Sequence, residues 1–323
     1  MFKKYSIFSC LLFLVVITTA CETIAKQSIY SIQLQIEETN LTPEEKTRAI
    51  RNIERRLVSV GAENVAITEE EDQKITVEFQ GKIKPQKLRK SFTFSGKLEF
   101  FEVCKEKNLL YKYLRQIDET FEEQDKLLTE VKNDKVAIDS TLGLSLNTIN
   151  DAVFATVPKE NRKKVAEKLL QKEPFSINGL EKKIKFLLGK SDRKDLYELY
   201  AVYVTAENNA SLDGSYVTDA AVGYDQLGNW IINIQMNADG SYIWEQLTEE
   251  VYQNNGNIAV AVDNYVYMAP SVFTGPISGG KTQISGNFTE EEAMDLANAF
   301  RAGSIPKMKI LQETILKRYF QKN

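Results

Sequence analysis

Apolar residues recur along the first third of the chain at the spacings of strands and helices. Every second residue is apolar in one stretch, which predicts a half-buried strand: Tyr30, Ile32, Leu34 and Ile36. Thr42 followed by Pro43 and Glu45 predicts a capped helix start, and Gly61 predicts the helix end. The same patterns predict strands at 64–68, 75–79 and 97–103 and a short helix at 85–92. The order β-α-β-β-α-β predicts a ferredoxin-like base over residues 27–104.

The last third of the chain shows equally clear periodicity. Strands are predicted at 200–205, 220–224, 230–236, 258–262 and 265–268. Asp263-Asn264 predicts a two-residue hairpin turn, and Asn237 begins a helix with an apolar face. We therefore predict an α+β head with an antiparallel sheet and packed helices at 199–310, followed by a C-terminal tail at 311–323.

The end of this head carries its most explicit local signals. Gly279-Gly280 permits a tight passage before a short strand, and Thr289 with Glu292 forms a capping box. One face of the following helix is apolar, which requires a packing partner. We predict that this helix packs on the strands at 230–236, 258–262 and 265–268.

The segment between base and head, 105–198, is strongly charged. Helical spacing of apolar residues continues to about residue 133, and a strand, a helix and a strand are predicted at 153–157, 159–170 and 184–188. Lysines and glutamates alternate here, so the charge pattern does not favour a nucleic-acid surface. We predict a mixed insertion of helical character.

The N-terminus has the features of an export signal. Lys3 and Lys4 precede an apolar run that ends in small residues, which is typical of a secretory signal peptide over residues 1–20. Cys21 follows Ala20 and resembles a bacterial lipoprotein site, in which Cys21 is lipidated. A tether at 21–26 would then span about 20 Å. Plain secretion with a free Cys21 and an uncleaved anchor are the alternatives.

Composition excludes several chemistries. The chain has no histidine, which removes Ser-His-Asp and Cys-His catalysis and the usual zinc ligand sets. A net charge of -4 without a concentrated basic face argues against nucleic acid as a partner. Cys104 follows an apolar run and is predicted to be a buried small residue. We expect no cofactor, no metal and no catalytic residues.

Two long stretches resemble a known family. They are VTDAAVGYDQLGNWIINIQMNADGSYIWEQLT, from Val217, and GNIAVAVDNYVYMAPSVFTGPISGGKTQISGNFTEEEAMDLANAFRAGSIP, from Gly256. Both are similar to the large first periplasmic domain of SecD and SecDF, membrane components of bacterial protein export. RNIERRLVSVGAENVAI and SGKLEFFEV, within residues 51–103, resemble the base of that domain. The insertion and LYELYAVYV resemble the Bacteroidetes-like form, and the resemblance covers about 27–310.

The resemblance implies a periplasmic domain detached from the transmembrane helices that carry proton coupling in the family. We therefore expect a non-enzymatic envelope lipoprotein of a Gram-negative bacterium. It would be membrane-anchored through its N-terminal lipid, and it would contact exported or unfolded polypeptide or dock on the export machinery. The alternatives are a structural or assembly lipoprotein that binds another envelope partner, and a periplasmic hydrolase that uses carboxylates. Candidate polypeptide-binding residues, each also explicable by core packing, are Trp230, Tyr265, Tyr267, Met268 and Phe273.

Overall fold

The structure is a computed structural model that describes residues 28–39, 41–117, 142–146, 151–170 and 173–317. The described residues divide into two compact units, one formed by those up to Thr93 and from Pro306 onward and one by those between Phe94 and Ile305. Within the described ranges, none of the helices combines the length and the apolar character needed to cross a bilayer.

The first unit is a four-stranded antiparallel sheet with two helices. Its strands are β1 (Ser28–Ile36), β2 (Ala62–Glu69), β3 (Lys74–Gly81) and β15 (Met308–Lys317), arranged in the order β15-β1-β3-β2. Its helices are α1 (Pro43–Ser59) and α2 (Pro85–Thr93). The apolar residues of β1 and β3 that alternate in sequence are buried, as their period of two requires.

The fourth strand of this unit differs from the prediction. The elements follow the predicted order β-α-β-β-α-β, but the last strand is β15, which pairs with β1 from Ile29 to Ile36. Residues 98–102, predicted to fill that position, belong to the second unit. Residues 311–317 are therefore strand rather than tail. The prediction was wrong because the sheet selects its edge strand by long-range pairing, which leaves no local signal.

The second unit contains the remaining elements. Its helices are α3 (Lys107–Ile117), α4 (Arg162–Val165), α5 (Ala238–Gln253) and α6 (Glu290–Ala302). Its strands are β4 (Leu98–Glu102), β5 (Ser145–Leu146), β6 (Ala155–Pro158), β7 (Lys183–Lys190), β8 (Leu196–Val204), β9 (Leu212–Asp213), β10 (Val217–Tyr224), β11 (Trp230–Met236), β12 (Ile258–Val262), β13 (Tyr265–Met268) and β14 (Lys281–Phe288).

These strands form a large and a small sheet. The large sheet has the order β5-β6-β8-β7-β13-β12-β4-β9, and the small sheet has the order β10-β11-β14. The predicted insertion and head therefore share one sheet, since β6 and β7 pair with β8. The predicted boundary at 198/199 was wrong, because the strands predicted at 153–157 and 184–188 pair with β8, and no local pattern identifies that partner.

The large sheet curls back on itself. Val103, directly after β4, forms a bridge with Val202 of β8, and the Cys104 amide donates to the Ala201 carbonyl at 2.8 Å. Strands β8, β7, β13, β12 and β4 thus close a ring. One buried cluster occupies its inner side: Phe101, Val103, Leu187, Tyr200, Val202, Val204, Ala259, Ala261 and Val266. Cys104 itself is buried, as predicted.

Two short sequence signals in this unit form the structures predicted from them, a hairpin turn and a helix cap. Asp263 and Asn264 both adopt positive φ, 51° and 63°, in the predicted hairpin turn between β12 and β13. Thr289 and Glu292 form the predicted capping box of α6. The apolar face of α6 contacts β10, β11 and β14, so of the three predicted partners only the strand at 230–236 is a principal one.

The two units carry the same capping box, which permits a matched test. Thr42 and Glu45 at α1 repeat the reciprocal hydrogen bonds of Thr289 and Glu292 at α6. We expect Thr289→Ala to lower the stability of the second unit by about 1 kcal/mol, because a backbone donor loses its acceptor. Thr42→Ala should act equally on the first unit. Native-state hydrogen exchange reports each unit separately, and an effect of either variant on both units would contradict this expectation.

Candidate functional site

Aromatic residues from four strands lie next to one another on the second unit. Tyr224 lies opposite Trp230 across β10 and β11, with ring centroids 4.2 Å apart. Trp230 lies opposite Phe288 across β11 and β14. The Tyr267 ring lies 5.6 Å from Phe288, and Tyr265 lies 5.6 Å from Tyr267. We call these five residues the aromatic row.

Strand geometry explains why the rings meet. Val266 points into the ring of strands, so its neighbours Tyr265 and Tyr267 must point outward. Trp230 and Tyr267 pack against the core of the small sheet, to which Phe288 belongs. Tyr224 is 61% exposed, whereas Trp230, Tyr265 and Tyr267 are half-buried. The row is therefore packed against the core, with Phe288 buried, three residues half-buried and Tyr224 mostly exposed.

The row is electrically neutral. Burial raises the pKa of Tyr265, and the neighbouring Tyr197 and Tyr267 rings add to this effect. Burial also raises the pKa of Tyr267, with a further contribution from Glu292. Both hydroxyls therefore stay protonated at neutral pH. A neutral aromatic surface suits apolar or uncharged partners, because tyrosine and tryptophan combine an apolar body with a polar tip.

Met268 occupies a different environment from the row. Its Sδ atom accepts a hydrogen bond from the Ser285 amide at 3.1 Å, and the side chain packs against the core of the small sheet. Thioether sulfur is a weak acceptor. Met268 therefore links β13 to β14 and is half-buried.

Phe273 lies in the loop between β13 and β14 and is 82% exposed. The loop is held on both sides of this residue. The Asn257 side-chain amide donates to the Ala269 carbonyl and to Ser271 Oγ, and the Ile277 amide donates to Thr248 Oγ1. Phe273 is thus an exposed ring on an anchored loop.

The structure brings together three of the five predicted residues, Trp230, Tyr265 and Tyr267. Sequence reasoning missed Tyr224 and Phe288. The hairpin turn at Leu227-Gly228 contained the signal for Tyr224, because its register sets Tyr224 opposite Trp230. The predicted lipidation residue Cys21 lies outside the described residues.

Comparisons with known proteins agree with this architecture. Residues 193–307 match the family model described as SecDF, P1 head subdomain. The protein translocase subunit SecD of Rhodothermus marinus is 27% identical over 286 residues, which covers 80% of this chain and 44% of that protein. SecD of Calditerrivibrio nitroreducens is 42% identical over 108 residues, covering 33% of this chain and 20% of that protein. The chain thus spans less than half the length of these relatives.

Solved structures show the same fold. A chain described as a membrane component SecDF that enhances protein export has a TM-score of 0.52 and 18% identity, with coverage of 87% of this chain and 98% of that chain. SecDF in its super-membrane-facing form has a TM-score of 0.53 and 18% identity, with coverage of 95% of this chain and 34% of that chain. The similarity to SecD and SecDF periplasmic domains and the mixed α and β fold with antiparallel sheets are therefore confirmed.

Proposed function

We propose, from the match of residues 193–307 to the SecDF head, that this chain is a non-enzymatic, SecD-like lipoprotein that contacts exported or unfolded polypeptide or docks on the export machinery. The observation that carries the proposal is the aromatic row. All five of its residues lie inside the matched segment.

The chemistry of the row suits an unfolded partner. An unfolded chain exposes apolar side chains, and covering aromatic rings removes apolar surface from water on both partners. Tyrosine, tryptophan and phenylalanine are also enriched at protein interfaces, since they bury a large area with few rotatable bonds. Exposed Phe273 adds a second apolar contact on an anchored loop.

The leader supports an envelope location. Lipidation of Cys21 would hold the folded body within about 20 Å of a membrane surface, on the periplasmic side. A polypeptide emerging from an export channel would pass through this layer. In this role the chain would contact polypeptide without proton-coupled transport of its own.

Crosslinking in cells tests the proposal with the full chain. A photoreactive residue at position 224 or 273 should yield adducts with secreted polypeptides or export components. The same residue at position 58, where Val58 of the first unit is 57% exposed, should yield few. Equal adducts at all three positions would contradict the proposal. Adducts confined to other envelope proteins would favour the alternative of a structural or assembly lipoprotein.

A binding experiment isolates the exposed rings. We expect Tyr224→Ser combined with Phe273→Ser to weaken binding of a reduced, carboxymethylated unfolded protein about tenfold, the equivalent of about 1.4 kcal/mol. Both side chains are mostly exposed, so thermal stability should change little. Tyr242→Ser on α5, at a residue 65% exposed and outside the row, is the control. An equal loss of binding in the Tyr242 variant would show that the aromatic row does not contribute specifically to binding of the unfolded protein.

A further inference from the structure

A concavity of about 410 Å³ lies on the small sheet, on the face away from α6. Ile232, Ile234 and Ile284 point toward α6 and the core. The residues that alternate with them point outward, as the pleat requires. The concavity is lined by Asp219, Ala221, Asn233, Ile234, Gln235, Lys281, Thr282 and Gln283.

Six of the eight lining residues form two rows across the three strands, and Ile234 and Thr282 belong to the row between them. Strand register places Asp219, Gln235 and Lys281 in one row. The next row holds Ala221, Asn233 and Gln283. Neighbouring strands are about 4.8 Å apart, so each row spans about 10 Å, the length of three extended residues.

The amide groups are held in place by the sheet itself. Gln283 Nε2 donates to Asn233 Oδ1 at 3.0 Å. Gln235 Nε2 donates to the Met236 carbonyl at 3.0 Å and to the Gly279 carbonyl at 3.3 Å. A Cβ atom at Gly223 would lie 2.7 Å from Asn233 Nδ2, so the glycine leaves the space that the Asn233 amide occupies. The concavity therefore contains three side-chain amides, Asn233, Gln235 and Gln283, which are held in place by hydrogen bonds and close packing.

We propose that this concavity binds the backbone of an extended polypeptide through Asn233 and Gln283. The proposal deepens the proposed function and rests on it. Each side-chain amide offers a donor and an acceptor, the same pair that every peptide unit presents, so recognition needs no particular sequence.

Charge and shape favour a peptide backbone over other ligands. Asp219 and Lys281 stand at opposite ends of one row and balance each other, which suits a neutral partner with donors at some atoms and acceptors at others. The concavity lining includes no aromatic ring, the platform on which a sugar would stack. The aromatic row uses Trp230 and Phe288, which pack into the core on the α6 side, so the two surfaces are separate.

The experiment uses the full chain and two uncharged 12-residue peptides that differ only in N-methylation of the backbone. We expect Asn233→Ala combined with Gln283→Ala to weaken binding of the unmethylated peptide about tenfold, since each lost hydrogen bond contributes about 0.5–1.5 kcal/mol. The methylated peptide should bind the unaltered protein about as weakly as the unmethylated peptide binds the double variant. A scrambled peptide should bind as the original does. Gln246→Ala combined with Gln253→Ala removes two exposed amides from α5 and is the control.

Each contrary outcome has a distinct meaning. If the double variant still binds the peptide, the concavity is not the peptide-binding site, while the proposed function remains intact. Equal binding of methylated and unmethylated peptides overturns backbone recognition. Binding of a chitooligosaccharide that is lost in the double variant, without peptide binding, overturns the choice of ligand. A protein that binds neither peptide nor unfolded protein contradicts both proposals. Thermal unfolding of the variants confirms that the fold is retained.

Discussion

Phe100→Ala is expected to lower the free energy of unfolding of the second unit by about 3–5 kcal/mol. Phe100 is fully buried on β4, and its ring lies 5.3 Å from that of Trp244 on α5. It belongs to the cluster that joins β4 and β12 of the large sheet to the small sheet and α6. Truncation would remove this contact and leave a cavity that strands fixed by hydrogen bonds cannot fill.

Denaturant unfolding monitored by tryptophan fluorescence measures this effect, because both tryptophans lie in the second unit. Phe273→Ala is the matched control, since it removes the same atoms from a ring that is 82% exposed. Its effect should stay within about 0.5 kcal/mol. Similar losses in the two variants would contradict the placement of Phe100 in the core.

Gly189→Ala is expected to destabilise the closed ring of strands by about 3 kcal/mol, at the upper end of overpacking effects. A Cβ atom here would lie 2.6 Å from the Tyr200 ring and 2.8 Å from the Val266 carbonyl oxygen. The carbonyl cannot move away cheaply, because β7 and β13 pair at Gly189 and Val266. To accommodate the added methyl group, the closed ring of strands would have to open between β7 and β13, its parallel pair.

The same unfolding experiment tests this substitution, with Gly214→Ala as its control. At Gly214 the nearest atom to an added Cβ is Leu98 Cβ at 3.2 Å, so a small adjustment suffices. Hydrogen exchange should quicken at the Val266 amide in the Gly189 variant and remain unchanged in the control. A Gly189 variant as stable as the Gly214 variant would show that the strands are less closely packed at this point.

The elements that were predicted correctly are those whose sequence signal lies within the few consecutive residues that form the structure. The capping box at Thr289, the turn at Asp263-Asn264 and the strand at 230–236 each depend on a few adjacent residues. Their hydrogen bonds are local, so the pattern determines the element. The buried environment of Cys104 also followed from the apolar run before it.

The elements that were predicted wrongly or missed are those that pair with a strand far away in the sequence. β15 pairs with β1, from which it is separated by most of the chain. Polar residues interrupt its apolar positions, so this segment was predicted to be a C-terminal tail. The bridge from Val103 to Val202 likewise joins segments that no local pattern relates. The aromatic row was found only in part, because Phe288 joins it through pairing with β11.

The ends of the second unit are fastened together, which bears on the order of folding. The Ile305 amide donates to the Ser95 carbonyl at 3.1 Å, and Ser95 Oγ donates to the Ile305 carbonyl at 2.6 Å. Closing an unstructured loop of roughly 200 residues costs about 4–5 kcal/mol of chain entropy. Once residues 94–305 have folded, that loop is already closed at its base. β15 can then pair with β1 as readily as across a short connection, so during synthesis the interior of the chain completes before its two flanks.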